Sequence, residues 1–410
     1  MSKIVRAIFV VVVSLCILVV TASAQAPPCP GYDPNHNVNL ACQIPTTIRT
    51  STSGSQTLGQ LSPTIAAQLS QLPLTTAVTG SGLTLGKSLV PTISTDSLGT
   101  TLTQRGETLG YHKFYAAFSY QRFTFDSIDG ISLHQLDTVN QAKSGSTTIF
   151  VAAHNRVDLL VDQLNVIGSF GLSARTDVSL LVPFAKVTLK TQSFGTQFDS
   201  IGTPPTTFPV SFFPGSATGL GDIAVNVKRN VFKSKSEQTN IALGGEVRFP
   251  TGDETNFLGT GAYGVKPYFV FSSHHGRITP NVNLGYQWNS SSALFINSTT
   301  GKQLNLPSAF LYSGGVDISV VKRLTLNAAF LGQCVFDGPR LIKDSVDIPG
   351  QGKASTVTPN SSTYGIDNFG VGFKANPFKG LLISGNVMFK LDDGGLRSTV
   401  VPLGGISYRF

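Results

Sequence analysis

From about Tyr111 onward, hydrophobic residues recur at every second position, the spacing of a β-strand with one apolar face. The clearest run sets Ile278, Pro280, Val282, Leu284, Tyr286 and Trp288 against Thr279, Asn281, Asn283, Gly285 and Gln287. Leu324, Leu326, Ala328 and Phe330 oppose Thr325, Asn327 and Ala329 in the same way. So do Phe369, Val371 and Phe373 against Asn368, Gly370, Gly372 and Lys374. Ile223, Val225 and Val227 oppose Asp222, Ala224, Asn226 and Lys228, and Leu381, Ile383, Val387 and Phe389 oppose Ser384, Asn386 and Lys390. Followed along the chain, the alternation predicts twelve strands, at 112–125, 157–172, 176–190, 219–232, 239–249, 263–274, 277–289, 309–321, 323–336, 363–375, 380–391 and 398–410.

The connections between these strands alternate in length. Short ones fall at Ser173 to Arg175, Lys233 to Gln238, His275-Gly276, Lys322 and Asn376 to Lys379. Long ones fall at 126–156, 191–218, 250–262, 290–308 and 337–362, with a shorter one at 392–397. In a soluble sandwich the apolar faces would meet in a shared core. Short turns at one end and long loops at the other belong instead to an all-β, antiparallel, up-and-down transmembrane barrel, whose apolar face meets lipid and whose polar face lines a lumen. An even strand count brings both ends of the barrel to the short-turn, periplasmic side. Asp162 and Lys186 interrupt the apolar face of the second and third strands, and Pro183 predicts a bulge there.

Residues 25–110 carry no such period. Pro27, Pro28, Pro30 and Pro34 open the segment, and Ser, Thr and Gly dominate from Thr46. Ser62-Pro63 makes a cap and first turn ahead of Ile65, Leu69 and Leu72, and Asp96 caps a second short helix with Leu98 and Leu102. This segment is expected as a loosely structured, partly disordered periplasmic extension, with a plug or a partner-binding arm as open alternatives. Ahead of it, Lys3 and Arg6, the apolar run from Ile8 to Val20 and Ala22-Ser23-Ala24 make a secretory signal over residues 1–24, cleaved near Ala24. That run of about 13 residues is short of the roughly 20 a membrane helix needs. The barrel then occupies residues 111–410.

Composition narrows the class further. Charged residues make up 13% of the chain, about half the roughly 25% of soluble domains. Gly and Phe are abundant, at 42 and 27, while Met and Trp number 2 and 1. An exported, charge-poor chain, rich in Gly and Phe and without spanning helices, points to strands in a bilayer. The formal net charge is +8, but the basic residues are scattered and do not interleave with aromatics, which argues against a nucleic-acid partner. Cys29 and Cys42 are disulfide candidates in an oxidising compartment, where closing such a loop is worth about 3 kcal/mol. Cys16 leaves with the signal, and Cys334 reads as a small apolar strand residue.

At the other end, Ile406, Tyr408 and Phe410 share a face opposite Ser407 and Arg409. A chain ending on an aromatic strand resembles outer-membrane barrels. The resemblance implies that the barrel assembly machinery reads those three residues, with outer-membrane lipids as the other partner. A more specific likeness lies upstream. Gly219-Leu220-Gly221-Asp222-Ile223 opens a strand, and Gly244 to Asp253 ends one on Pro250-Thr251-Gly252-Asp253. Leu258-Gly259-Thr260-Gly261, Asn283 to Tyr286, Phe170 to Arg175 and Val182-Pro183-Phe184 complete the series. It resembles the outer-membrane barrels of the MetA-pathway of phenol degradation, over about residues 160–410. The resemblance implies a barrel and small-molecule transport and brings no set of functional residues. Gly-rich strand ends also have a purely structural use, permitting twist and bulges.

Enzymatic chemistry has little to stand on. Gly259-Thr260-Gly261-Ala262-Tyr263-Gly264 matches a dinucleotide-binding pattern but leaves a loop and enters a strand, the wrong context. His274-His275 sits at a turn without a third ligand, and Asp253-Glu254 and Asp392-Asp393 read as solvated loop charges. No Gly-x-Ser-x-Gly element is present. No metal or cofactor is expected. The candidate pore-lining residues are Lys228, Glu246, Arg248, Lys266, Asp317, Lys374 and Lys390, which fall at inward positions and must pair or meet water. Their basic excess favours anions. The expected function is an outer-membrane channel or facilitator for passive passage of small solutes, aromatic or anionic, of unknown identity. A closed structural barrel is the alternative, and an outer-membrane hydrolase acting through His134 or His154 a more remote one.

Overall fold

Twelve strands form one antiparallel meander that closes on itself. The computed structural model describes residues 39–47, 83–85, 91–93, 102–236, 238–296, 303–378 and 380–409, with single positions at 65, 69 and 98. The barrel strands are β1 (Phe114–Phe125), β2 (Thr147–Ser173), β3 (Thr176–Asp199), β4 (Ala224–Lys233), β5 (Thr239–Arg248) and β6 (Gly264–Ser273). They continue as β7 (Ile278–Asn289), β8 (Ala309–Val321), β9 (Leu324–Ile348), β10 (Gly352–Phe378), β11 (Leu381–Lys390) and β12 (Val400–Arg409). Each pairs with its sequence neighbours, and β12 returns to β1 from Leu403↔Gln121 to Arg409↔Tyr115. The wall therefore has no free edge to template further pairing.

The side-chain period of two sends the apolar residues outward. On β7, Ile278, Val282, Leu284, Tyr286 and Trp288 are all exposed, while Thr279, Asn281 and Asn289 are buried on the inner side. Phe118, Leu164, Phe184, Leu243, Ile318, Leu326, Val371 and Phe389 extend the same exposed belt around the wall. A closed barrel whose outward face is apolar and whose backbone polar groups are satisfied within the wall is at home in lipid. This is an outer-membrane barrel, and the sandwich reading is excluded.

Strands outside the belt run longer than the alternation suggests. β2 with β3 and β9 with β10 continue as paired arms beyond the belt, through registers such as Ile149↔Asp199 and Ile342↔Thr358. Out there both faces meet water or loops, so the apolar repeat that marks a strand is lost although pairing continues. The loops expected at 126–156, 191–218 and 337–362 are thus largely strand. A further strand, Leu136–Ser144, adds to β2 and donates from the Val139 amide to Thr356 Oγ1 at 2.9 Å, tying the two arms together. Thr206–Leu220 pairs with the outer half of β3 and runs through Gly221-Asp222-Ile223 into β4, whose pairing with β3 begins only below Pro183. β2 and β3 pair through Pro183 without a register shift, so in place of the expected bulge the other edge of β3 changes partner there.

Of the N-terminal extension, α1 (Leu40–Thr47) is helical and Leu40 to Gln43 are buried. Ile65 and Leu69 are helical positions, in agreement with the first expected helix, and Ile65 is fully buried. Leu98 and Leu102 lie in irregular backbone, so the described part of the second expected helix is not helical. Cys42 is disulfide-bonded, Cys334 is a free thiol, and Cys29 lies outside the described residues. Ile406 and Tyr408 face outward, while Phe410 and residues 1–24 lie outside the described residues.

Candidate functional site: the barrel interior

The seven charged residues expected to line the lumen all occupy inward positions of their strands, and most are neutralised locally. Glu246 on β5 meets Lys266 on β6 at 2.6 Å, its cross-strand neighbour. Arg248 donates to Asn289 Oδ1 at 2.8 Å and stands 3.8 Å from Asp222. Lys390 meets Asp393 at 2.9 Å where the wall gives way to a loop. Burying charge is tolerable only with such partners.

The remaining three belong to a layer that the sequence did not reveal. Residues 102–110, just before β1, lie against the inner side of the wall and take up its polar groups one after another. The Leu98 amide donates to Thr325 Oγ1 at 3.0 Å on β9. Gln104 exchanges two hydrogen bonds with Asn283 on β7, at 2.6 and 2.9 Å. Arg105 forms an ion pair with Asp317 on β8 at 2.6 Å, with side chains only 5% and 1% exposed, and Lys374 is within electrostatic reach of both. Lys228 on β4 donates to the carbonyls of Arg105 and Glu107 at 3.0 and 2.6 Å. Gly106 donates to Ser272 Oγ at 3.0 Å, and the Leu109 amide donates to Asp177 at 2.9 Å. The segment thus spans the lumen from β9 to β3. Because its backbone is not in a sheet, each of its amides and carbonyls needs a partner, and the inward Asn, Ser, Thr and Lys side chains supply them.

Inward glycines make room for it. A Cβ on Gly370 would collide with Leu102, and one on Gly171 with the carbonyl of Gly110, itself in the left-handed region at φ 90°. Gly106 in turn approaches Asn240 too closely for any side chain. Glu107 and Asp177, absent from the sequence reading, offset Lys228, as Asp317 offsets Lys374, which reduces the basic excess inferred for the lumen. Signals for these residues were faint: Arg105-Gly106-Glu107 is a charged triplet in a Ser/Thr-rich stretch, but nothing local says that it faces into a barrel.

Above this polar floor the interior is apolar, contrary to the expectation that inward positions are polar throughout. Phe123 and Phe125 of β1, Val157 and Leu159 of β2, Val187 and Leu189 of β3, Met388 of β11 and Leu403 of β12 form one buried cluster. Leu40, Ile65 and Leu102 of the extension and Phe257 and Leu341 from the loop side join it. Gln43 donates to the carbonyls of Leu189 (3.1 Å) and Phe213, and the Leu40 amide donates to Asn256 Oδ1 at 3.2 Å, so α1 is seated at the loop end. In water those inward aromatic and aliphatic side chains would lose about 25 cal/mol per Å² of exposed surface. Filling by the chain's own leucines avoids that loss.

The glycine-rich motifs converge at the break in the wall. Asp222 accepts from the Gly252 amide at 3.0 Å, the Thr260 amide at 2.8 Å and the Thr260 hydroxyl at 2.6 Å. Gly252 and Gly259 cross so closely that a Cβ on either would meet the other's backbone at 2.7 Å. Gly-Leu-Gly-Asp, Pro-Thr-Gly-Asp and Gly-Thr-Gly are therefore parts of one clamp that folds the 249–263 loop onto the wall. Asp253 caps a short 3-10 turn in that loop. Burial raises its carboxyl pKa, but hydrogen bonds from Thr255 and Asn256 outweigh this and leave it below the usual carboxylate value.

His154 meets Asp137 at 2.7 Å and His134 meets Asp158 at 3.0 Å on the outer surface. His134, Asp137 and His154 line a cavity of about 330 Å³ with Gln135, Asn155, Arg156, Gln192 and Phe194. That lining contains no hydroxyl or thiol to act as a nucleophile, which removes the ground for a Ser/His reading there.

Residues 139–331 match the family described as "Putative MetA-pathway of phenol degradation". This is the family the sequence resembles, and every motif that carried the likeness falls within the matched span. No curated protein matches the sequence. An outer membrane channel from Pseudomonas putida F1 aligns at 13% identity with a TM-score of 0.45, covering 74% of this chain and 98% of that one. The NanC porin aligns at 9% identity and a TM-score of 0.38, over 71% of this chain and 98% of its own. A mutant of the TodX monoaromatic hydrocarbon channel aligns at 10% identity and 0.35, over 77% and 96%. The strand register establishes the barrel without these likenesses.

Proposed function

We propose that the protein is a passive outer-membrane channel for small, largely apolar solutes, held shut at rest by residues 102–110. The observation that carries this reading is that the twelve-stranded interior holds a whole segment of chain, not only the wall's own side chains. Eight strands enclose a space that side chains alone fill, and sixteen leave an open pore. Here the space is occupied by a peptide bound through side chains and sockets, which withdraws without breaking any wall pairing. Once it withdraws, the route runs from the apolar upper cluster around Phe123, Phe125 and Met388 to the floor. An apolar or aromatic solute regains there the contacts that Leu102 gives up. Anions gain less, because Asp317, Glu107 and Asp177 balance the lysines.

The test is solute efflux from proteoliposomes holding phenol or, separately, glucose, alongside planar-bilayer recording. Phenol is expected to leave faster than from protein-free vesicles, with glucose retained, and current to be rare until the segment is destabilised. Equal retention of both solutes by the wild type and by Arg105→Met would end the channel reading in favour of a closed structural barrel. The same reading takes Ile406, Tyr408 and Phe410 as the strand presented to the assembly machinery.

A further inference from the structure

The apolar belt does not end uniformly. On the β7–β8 side its loop-end rim is aromatic, with Tyr286, Trp288 and Phe310 exposed. On β1–β3 it is ionic. Arg122, Asp162 and Lys186 are cross-strand neighbours on the outer face, directly above exposed Tyr120, Leu164 and Phe184. Farther outward, beyond Leu160 and Thr188, Asp158 faces Lys190 and Arg156 faces Gln192. The acids are already taken: Asp162 pairs with Arg122 at 3.0 Å and accepts from the Tyr120 hydroxyl, and Asp158 pairs with His134 at 3.0 Å and Arg156 at 3.2 Å. Lys186 and Lys190 are exposed and make no ion pair with any described residue. They stand four positions apart on one strand, about 13 Å at roughly 3.3 Å per residue. Above them, Phe194 and Phe212 are exposed, and the cavity walled by His134, Asp137, His154 and Arg156 opens beside Phe194.

We propose that this outer face of β1–β3 binds a phosphorylated glycolipid of the outer leaflet. The register sets the three levels of the ligand. Acyl chains lie on Tyr120, Leu164 and Phe184, and phosphates sit at Lys186 and Lys190, whose ammonium groups are point donors for phosphate. Sugar rings stack on Phe194 and Phe212 and hydrogen-bond into the cavity. Charge complementarity selects this occupant: the spare charges are cationic and stand directly above the apolar belt of β1–β3, at headgroup height. A protein partner would leave the belt immediately below in lipid and would have to meet the lysines at the membrane surface.

The experiment uses the full-length protein in mild detergent, titrated with rough lipopolysaccharide, its dephosphorylated form and phosphatidylglycerol, with bound lipid counted by native mass spectrometry. Wild type is expected to hold the phosphorylated glycolipid. Lys186→Ala with Lys190→Ala should weaken it roughly 30-fold, at about fivefold for each lysine near a charged surface. The dephosphorylated form should show the same loss on the wild type, and Phe212→Ala should weaken glycolipid without changing phosphatidylglycerol. Both lysines and Phe212 are exposed, so the variants should fold, checked by the shift in gel mobility between unboiled and boiled samples. Unchanged affinity in the double variant would overturn the site, as would phosphatidylglycerol binding as tightly as the glycolipid.

Discussion

Arg105 and Asp317 join the lumen segment to the wall in a dry place, which makes their separation the sharpest perturbation available. Replacing Arg105 by Met strands the Asp317 carboxylate, already with one oxygen lacking a hydrogen-bond partner. Stranding one member of a buried pair costs about 3–5 kcal/mol. At about 1.4 kcal/mol per tenfold, that is two to three and a half orders of magnitude in the balance between seated and withdrawn segment. The lower end is expected, because Lys374 stays within electrostatic reach of the carboxylate after Arg105 is replaced. Single-channel recording at fixed voltage should show the open fraction rising at least a hundredfold for Arg105→Met, and similarly for Asp317→Ala, where the arginine is stranded instead. Arg105→Met combined with Asp317→Leu removes both members of the pair, leaving only Lys374 without its neighbouring carboxylate. It should return the channel most of the way to wild-type silence, since apolar replacement of a buried pair is close to neutral. Two results would refute the reasoning: single variants as silent as the wild type, or a double variant as open as either single one. Lys322→Ala, on an exposed periplasmic turn, should change nothing.

Other consequences are simpler to test. Leu284→Arg places a charge in the belt and should destabilise the folded barrel by about 2–4 kcal/mol if it lies at mid-membrane, less near the rim, read from urea titration of the folded band on unboiled gels. Asp222→Asn keeps the shape but swaps one acceptor oxygen for a donor against Gly252 and Thr260, costing about 1–3 kcal/mol and raising amide exchange across 250–262. Gly370→Leu should fill the socket of Leu102 and raise the open fraction without weakening the wall. The Asp253 carboxyl is depressed in the native loop, so its stabilising effect is full above the ordinary carboxylate range and is lost as pH falls through the lowered native value. Exchange at the Thr255 amide should therefore rise on acidification, and Asp253→Asn should abolish that pH dependence.

Within the belt, the sequence alone was enough to count strands, place short turns and assign faces, because lipid on one side enforces a strict period of two. Ile278 to Trp288 against Thr279 to Gln287 needs no further context. Beyond the membrane that constraint lapses, and the arms of β2–β3 and β9–β10 were read as loops. The glycine motifs were visible as strings, but their meeting at Asp222 depends on β4 breaking beside Pro183. Inside the barrel the decisive partners are far apart in the chain: Arg105 with Asp317, Gln104 with Asn283, Leu102 with Gly370. No local pattern encodes which inward residue a non-periodic segment will meet, since that depends on closure of the whole wall. Alternation along each strand therefore determined the shell of this protein. Only the closed tertiary structure decided what fills it, because an interior exists only once β12 has paired with β1.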